Sequence, residues 1–495
     1  DKDAGAAFLK YKDFKPYVDY FNSMEDENIA QAIPNARASQ WMEENIPLFE
    51  CSQKNFEEMY YYRWWTLRKH IKETPVGYGM TEFLVNRSYA DKYNLIACAI
   101  GHHIYESRWL RNPEYLNQII HTWYRGNEGG PMAKMTKFSS WNADAVLGRY
   151  MVDGNKEFLL DMVKDLEAEY ARWEKTNRLS NGLYWQGDVQ DGMEESISGG
   201  RRKQYARPTI NSYMYGNAKA LSLIGIMTGD EGMAMKYGLK ADSIKTLVQD
   251  KLWNTDHHFF ETMRGDASAE VREAIGYIPW YFNLPDASSQ YDVAWKEVMD
   301  EKGFSAPYGL TTAERRHPEF RTHGVGKCEW DGAIWPFASA QTLTAMANFM
   351  NNYPQTVLTD SVYFHQMERY VESQHHRGRP YIGEYLDEVT GYWLKGDQER
   401  SRYYNHSTFN DLMITGLIGL RPRMDNTVEV NPLIPEGKWD YFCLDNVLYH
   451  GRNLTILWDK DGSRYQRGKG LHIYVDGKEV GHADTLTRVL CENVL

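Results

Sequence analysis

The chain has 495 residues, of which 42% are hydrophobic and 25% charged, and its formal net charge is −12. This composition is typical of a globular protein with a sizeable core and excludes general disorder. The negative charge argues against a nucleic-acid partner, because binding a phosphate backbone requires a basic face. The sequence has no apolar run near the ~20 residues that span a bilayer and no signal-peptide core, so no membrane span is predicted.

The start of the chain and its cysteines bear on the compartment. The first residue is Asp1 rather than Met, which fits a mature exported protein without its leader and fits a trimmed expression product equally well. A periplasmic or secreted location is the expectation. The five cysteines are widely spaced and form no CxxC or Cys/His metal pattern, so we expect buried free thiols.

Between residues 56 and 421, amphipathic stretches alternate with loops rich in Gly, Asn and Pro. Apolar residues recur at steps of three and four, which predicts helices packed on helices. Short loops on one side and long, charged, aromatic loops on the other favour a mainly α fold, a toroid with its site on the long-loop face. The predicted helices are 89–110, 155–174, 211–227, 235–253, 336–351 and 408–420.

The two ends of the chain differ from this helical region. After Arg421 the segments become short and rich in β-forming residues, and Asp-Gly turns separate them. Residues 422–495 are therefore predicted to form a small β-rich C-terminal domain. Residues 1–55 are treated as an N-terminal extension, in which 17–21 fits either a strand or a helix. The predicted strand cores are 427–430, 454–458 and 471–475.

A loop between two predicted helices, 184–200, carries an unusual density of acid. Mutual repulsion in a partly buried cleft would raise the pKa of at least one carboxyl group. A carboxylic acid that is protonated near neutral pH can protonate a glycosidic oxygen. A solvated acidic loop explains the spacing as well, although Trp185 and the following Arg201 and Arg202 favour a cleft. The four acids are Asp188, Asp191, Glu194 and Glu195.

A second candidate carboxylate lies in the segment GEYLDEVTGYW, residues 383–393. Glu384 precedes an aromatic residue and a turn, and a helix is predicted to begin near Ser407. An ionised carboxylate at this position could take a proton from water. A glutamate that only ties its own loop together is an equally good interpretation of this segment alone.

Together the two segments resemble glucoamylases and related (α/α)6 glycoside hydrolases, which implies that the toroid is an (α/α)6 barrel of six helical hairpins. The run DGMEES resembles the family's acid segment, which implies that Glu194 protonates the leaving group, with Asp191 as a supporting acid and Glu195 as a substrate-binding carboxylate. Whether Asp191 rather than Glu194 donates the proton stays open. The run GEYLDEVTG resembles the family's later segment, which implies that Glu384 is the base that activates water.

Two further runs resemble relatives of this family. CEWDGAIWPF is similar to a loop that lines the sugar subsite, which implies that Trp330, Asp331 and Trp335 contact substrate. RPTINSYMYGNAKA, with Arg207 and Asn211, is similar to the helix after the acid in trehalase-like and mannosylglycerate-hydrolase-like enzymes. The predicted substrate-binding residues are Glu195, Asp188, Trp185, Arg207, Trp330, Asp331 and Trp335.

The resemblance implies an exo-acting glycoside hydrolase that removes a terminal sugar from an oligo- or polysaccharide with inversion. A glycoside phosphorylase, a non-catalytic carbohydrate-binding protein and a polysaccharide lyase are the alternatives. No cofactor is expected: neighbouring side chains of the pairs His102-His103 and His375-His376 point apart rather than towards one metal. A structural Ca²⁺ stays open.

Overall fold

The computed structural model describes residues 8–324 and 328–495. Most of the chain is helical up to residue 417, and strands dominate after it. Two π-helical turns, Val248–Leu252 and Met413–Leu417, continue α9 and α14. The α-helices are α1 Lys15–Ser23, α2 Asn35–Asn45, α3 Lys54–Lys69, α4 Ile100–Ser107, α5 Pro113–Arg125, α6 Asn142–Asp153, α7 Lys156–Asn177, α8 Pro208–Thr228, α9 Glu231–Leu247, α10 Ile278–Tyr281, α11 Ser289–Asp292, α12 Pro336–Asn352, α13 Asp360–Ser373 and α14 Asn410–Leu412.

The even-numbered helices from α4 to α14 contact one another in sequence. Each packs against the next even-numbered helix, and α14 returns to contact α4. Helices α7 and α9 flank α8, and α13 lies between α12 and α3. Helix α8 is buried on every face over its first ten residues, because it has neighbours on all sides.

Glycines allow these central helices to approach closely. A Cβ atom on Gly101 of α4 would lie 2.1 Å from the Trp141 ring, and one on Gly216 of α8 would lie 2.2 Å from Phe282. Trp141 fills the centre, where its ring also contacts His102 and Tyr213. The aromatic residues that are so frequent in the sequence thus serve core packing as well as the cavity described below.

The longest connections precede the central helices. Residues 178–207 lead into α8, residues 293–335 into α12 and residues 374–409 into α14. These connections fold through short hairpins instead of crossing the surface as open loops. The strands of the helical region are β2 Ile71–Thr74, β3 Gly77–Met80, β4 Trp185–Gln186, β5 Tyr205–Ala206, β6 Trp253–Asn254, β7 Phe259–Phe260, β8 Met263–Arg264, β9 Ala267–Ser268, β10 Ser305–Ala306, β11 Gly309–Leu310, β12 His375–His376 and β13 Arg379–Pro380.

The C-terminal region is built on a five-stranded antiparallel sheet, in the order β1-β16-β17-β18-β19, beside a three-stranded sheet, β14-β15-β20. Strand β1 comes from the N-terminal extension and pairs with β16, with Leu48 opposite Asp445. Asp476 and Gly477 both have positive φ, 50° and 79°, in the two-residue turn between β18 and β19, as the Asp-Gly turn predicts. The strands are β1 Leu48–Cys51, β14 Leu420–Arg421, β15 Val428–Val430, β16 Tyr441–Tyr449, β17 Arg452–Asp459, β18 Gly470–Val475, β19 Lys478–Ala483 and β20 Val489–Cys491.

One predicted helix is much shorter than expected. The segment 89–110 is helical as α4 only from residue 100, because Tyr93 and Asn94 adopt positive φ of 62° and 63°. The Asn94 amide instead donates to the backbone oxygens of Phe83 and Val85, both at 3.1 Å. Residues 17–21 lie in helix α1. Across the described ranges, 8–324 and 328–495, we find no helix with the length and apolarity needed to cross a membrane.

Candidate active site

A cavity of about 340 Å³ opens at the N-terminal ends of the central helices. Its walls come from the connections that precede α4, α6, α8, α12 and α14. Glu194 and Glu384 both line it, although 190 positions separate them. The cavity is lined by Glu82, Tyr89, Ile96, Cys98, Lys137, Phe138, Val189, Gly192, Glu194, Arg201, Cys328, Trp335, Phe337, Glu384, Arg400, Tyr404 and His406.

Glu194 follows a 3₁₀ turn, Asp188–Asp191, which ends at Gly192 with φ of 74°. A Cβ atom on Gly192 would lie 3.2 Å from the Cys98 sulfur, so the turn packs closely against the segment before α4. Burial raises the pKa of Glu194 to about 7, and the negative charges of Glu384 and Asp188 act in the same direction. A substantial fraction of Glu194 is therefore protonated at neutral pH.

Glu384 has a different electrostatic setting. Its Oε2 lies 3.7 Å from the Lys395 ammonium and 3.8 Å from the Arg400 guanidinium, so a negative charge on Glu384 is offset by two cations. The same oxygen is buried and accepts no hydrogen bond from any described residue. Bridges between Leu386 and both Ile334 and Trp393 hold this loop in place. Glu384 thus lines the cavity with a carboxylate whose buried Oε2 is held near two cations and has no hydrogen-bond donor among the described residues.

A third carboxylate, Glu82, lines the same cavity and was not predicted from the sequence. It follows β3 and accepts hydrogen bonds from Cys98 Sγ at 3.2 Å and from Tyr404 Oη at 3.1 Å. Burial raises the pKa of Glu82 to about 8, although these two hydrogen bonds act to lower it. No local motif marks this residue, because its partner Tyr404 is 322 positions away in the chain.

Trp335 forms an aromatic wall of the cavity. Its ring stacks on Tyr385 at 4.5 Å and on Trp330 at 4.7 Å between centroids. This three-ring stack fixes the orientation of Trp335, and a fixed indole suits contact with the apolar face of a sugar. His406 lies close to Trp335, and burial holds the pKa of His406 well below its usual range, so its ring is neutral.

Asp191 and Arg207, predicted as a supporting acid and a substrate contact, lie in the protein interior instead of on the cavity wall. Arg207 Nε donates to Asp191 at 2.7 Å, and both side chains are fully buried. Thr209 and Ser139 also donate to the Asp191 carboxylate. Asn211 bonds the backbone of Tyr184. These residues anchor the acid loop on helix α8, although Arg207 Nη2 is buried without a hydrogen-bond partner among the described residues.

Most of the remaining predicted contacts also lie outside the cavity. Asp188 Oδ2 accepts hydrogen bonds from Ser196, and Asp331 Oδ2 accepts one from the backbone of His323. The Oδ1 atom of each residue is buried without a hydrogen-bond partner among the described residues. Glu195 pairs with Arg201 at 3.0 Å on the exposed side of the loop. Trp330 packs behind the cavity wall, where its ring contacts Trp335 and Phe337. Trp185 lines a separate, neighbouring cavity.

Comparison with known proteins identifies the family. The model of the mannosylglycerate hydrolase MGH1-like glycoside hydrolase domain matches residues 92–407, which include both Glu194 and Glu384. The chain belongs to this family. The predicted membership of a glycoside hydrolase family is thereby confirmed. A second model, the C-terminal domain of glycosyl hydrolase family 65, matches residues 420–482 of the strand-rich region.

Solved structures agree with this assignment. A protein named "Sialidase" is 83% identical over 100% of the chain, with a TM-score of 0.99. The chain spans 46% of the length of that protein. The GH63 mannosylglycerate hydrolase of Thermus thermophilus, with Tris bound, is 12% identical over 70% of this chain and 98% of its own, at a TM-score of 0.54. A GH78 family rhamnosidase of a Bacillus species is 11% identical over 83% of this chain and 40% of its own, at 0.55. These two distant structures share the fold.

Proposed function

We propose that the chain is an exo-acting, inverting glycoside hydrolase that removes a terminal sugar, with Glu194 as the acid and Glu384 as the base. The observation that carries the proposal is the position of both carboxyl groups on one cavity, in environments that differ in charge. Pairs of carboxyl groups with contrasting environments are how glycoside hydrolases separate the two roles.

The closed succession of the even-numbered helices supports an (α/α)6 barrel. In that arrangement α4, α6, α8, α10, α12 and α14 form the inner ring, and the odd-numbered helices from α3 to α13 form the outer ring. The cavity then lies at one end of the inner ring. Loops from five of the six hairpins surround it, which favours binding the end of a glycan over its middle.

In the proposed reaction the protonated Glu194 carboxyl donates its proton to the glycosidic oxygen as the bond to the anomeric carbon breaks. Glu384 takes a proton from a water molecule, and the water oxygen attacks the anomeric carbon from the opposite face. The product anomer then has the opposite configuration to the substrate. These steps use side chains alone, so no cofactor is required.

Glu82 suits a binding role in this mechanism. With a pKa of about 8, Glu82 is mostly protonated at neutral pH and can donate a hydrogen bond to a sugar hydroxyl. Glu82→Gln keeps a donor and an acceptor there, whereas Glu82→Ala removes both. We expect Glu82→Gln to retain kcat/KM within about tenfold and Glu82→Ala to lose more, mainly through KM.

The test is a screen of nitrophenyl glycosides and glycan oligosaccharides, with Glu194→Gln as the inactive control. For a substrate that is cleaved, an NMR time course identifies the anomer that is released first. Inversion is expected. Retention of configuration contradicts the assignment of acid, water and base, and cleavage in the middle of a long glycan contradicts exo action.

A glycoside phosphorylase is the second candidate, because Lys137, Arg201 and Arg400 on the cavity wall could bind phosphate as the nucleophile. That reaction needs no carboxylate base, so Glu384 favours hydrolysis. If sugar release requires added inorganic phosphate and yields a sugar phosphate, the phosphorylase is correct and the hydrolase is not.

A further inference from the structure

A second cavity, of about 380 Å³, lies directly beside the first. Its walls come from the end of α7, from the segment before α6 and from both ends of the acid loop. Lys137 and Arg201 line both cavities. In the 3₁₀ turn Asp188–Asp191, Val189 lines the first cavity and its neighbour Gln190 lines the second, so one helical turn separates the two.

The charge of the second cavity is opposite to that of the whole chain. All its charged lining residues are cations, namely Lys137, Arg201, Arg202 and Lys203, although the formal net charge of the chain is −12. Arg201 pairs with Glu195 outside the cavity. Arg202 and Lys203 are exposed and form no ion pair within residues 8–324 or 328–495. Their charges are therefore available to an anion.

The rest of the lining is suited to a sugar. Trp185 is half-buried and stands on β4, at the base of the hairpin that carries the acid loop. A partly exposed indole on a strand offers a fixed face for a sugar ring. Gln190 and Gln204 provide side-chain amides that can bond hydroxyl groups. A cavity that only attracted inorganic anions would have no use for the indole and the amides together.

We propose that the second cavity binds a carboxylate-bearing sugar, a uronate, of the same glycan whose terminal sugar enters the first cavity. Arg202 and Lys203 contact the uronate carboxylate, and Trp185 contacts its ring. Guanidinium groups match carboxylates with paired, charge-assisted hydrogen bonds. That this uronate belongs to the part of the glycan released as the leaving group rests on the proposed function, whereas the binding of an acidic sugar does not.

Binding is measured by titration calorimetry with the full chain carrying Glu194→Gln, so that turnover does not interfere. The probe is the trisaccharide of galacturonic acid, and its neutral partner is the trisaccharide of galactose with the same linkages. We expect the acidic trisaccharide to bind at least about fivefold more tightly, with a preference that shrinks as salt is raised towards about 0.15 M. Inorganic sulfate at the same ionic strength is expected not to displace it.

The double variant Arg202→Gln, Lys203→Gln is expected to weaken binding of the acidic trisaccharide about threefold to tenfold and to leave the neutral one unchanged. Lys251→Gln, Lys296→Gln removes the same charge from exposed positions outside both cavities and is the matched control. Equal binding of the two trisaccharides overturns the proposal, as does displacement by sulfate or wild-type affinity in the Arg202/Lys203 variant.

Turnover separates this inference from the proposed function. If the acidic trisaccharide binds through Arg202 and Lys203 but no glycoside is hydrolysed, the second cavity stands and the hydrolase fails. If glycosides are cleaved with dependence on Glu194 but charge at Arg202 and Lys203 has no effect on acidic ligands, the hydrolase stands and the second cavity fails.

Discussion

Asp191 and Glu194 lie three residues apart in one loop, and the protein uses them in opposite ways. Asp191 is fully buried and accepts from Arg207 at 2.7 Å and from Thr209 at 2.6 Å, so its charge is compensated and its oxygens are occupied. Glu194 faces the cavity, and burial near two other carboxylates raises its pKa to about 7. Two acids with the same chemistry thus become an anchor and a titrating group. The anchor holds the loop in the position that the titrating group requires.

The sharpest test of this contrast is Glu194→Gln. We expect kcat to fall about 100- to 10,000-fold on any cleaved glycoside, because the amide cannot donate an acidic proton. Glu384→Gln should lower kcat by a similar factor, because the amide cannot take a proton from water. The free energy of unfolding is the control for Glu194→Gln. Folding raises the pKa of the Glu194 carboxyl from 4.5 to about 7, so ionising it makes the folded state less stable as pH rises above about 4.5. The variant has no such charge and should unfold no more readily than wild type at pH 8. Near-normal turnover in either variant would remove that residue from the mechanism.

Asp191→Asn should show the opposite pattern, with stability lost first. The substitution breaks the fully buried ion pair of Asp191 with Arg207 and leaves only the charges of Glu273 and Asp188, with which Arg207 forms no direct ion pair. Removing one partner of a buried pair typically costs about 3–5 kcal/mol. Urea unfolding followed by near-UV circular dichroism measures the change. A loss below about 1 kcal/mol would mean that the pair is not the anchor of the loop.

The pH profile tests the titrating side of the comparison. Glu194 must be protonated to act, and its pKa lies near 7, so log(kcat/KM) should fall with rising pH above about 7 by one unit per pH unit. Glu82 and Glu384 share the cavity, so the apparent pKa belongs to the group of carboxyls and not to Glu194 alone. A rate that is constant from pH 6 to 9 would contradict a carboxylic acid donor, provided that the enzyme stays folded over this range.

The smallest effect is expected at Glu195, next to Glu194 on the exposed side of the loop. Glu195→Gln breaks an ion pair with Arg201, whose side chain is 63% exposed, and such pairs contribute about 0–1 kcal/mol. Stability and kcat should both stay close to wild type. A large loss of activity would place Glu195 in the site and would contradict the division of roles between Asp191, which anchors the loop, and Glu194, which acts as the acid.

Local signals in the sequence selected three residues that the structure brings to one cavity. Glu194, Glu384 and Trp335 were selected from short motifs, and all three line one cavity. Glu82 was missed, since it gains its surroundings from Tyr404, far along the chain. Arg207, Asp188 and Asp331 carry the chemistry of binding residues but lie outside the cavity and bond to partners within the protein, which residue type alone does not reveal.

Local sequence by itself determined the positions of several helices and of one tight turn. Helices 156–177, 208–228 and 336–352 and the Asp476-Gly477 turn lie within three residues of their predicted positions, because periodicity and φ preferences act over a few neighbours. Tertiary structure decided that Leu48–Cys51 joins a sheet nearly four hundred residues away, and which acid of the loop faces a cavity. Those outcomes depend on desolvation and on partners contributed by distant segments, which no short window of sequence contains.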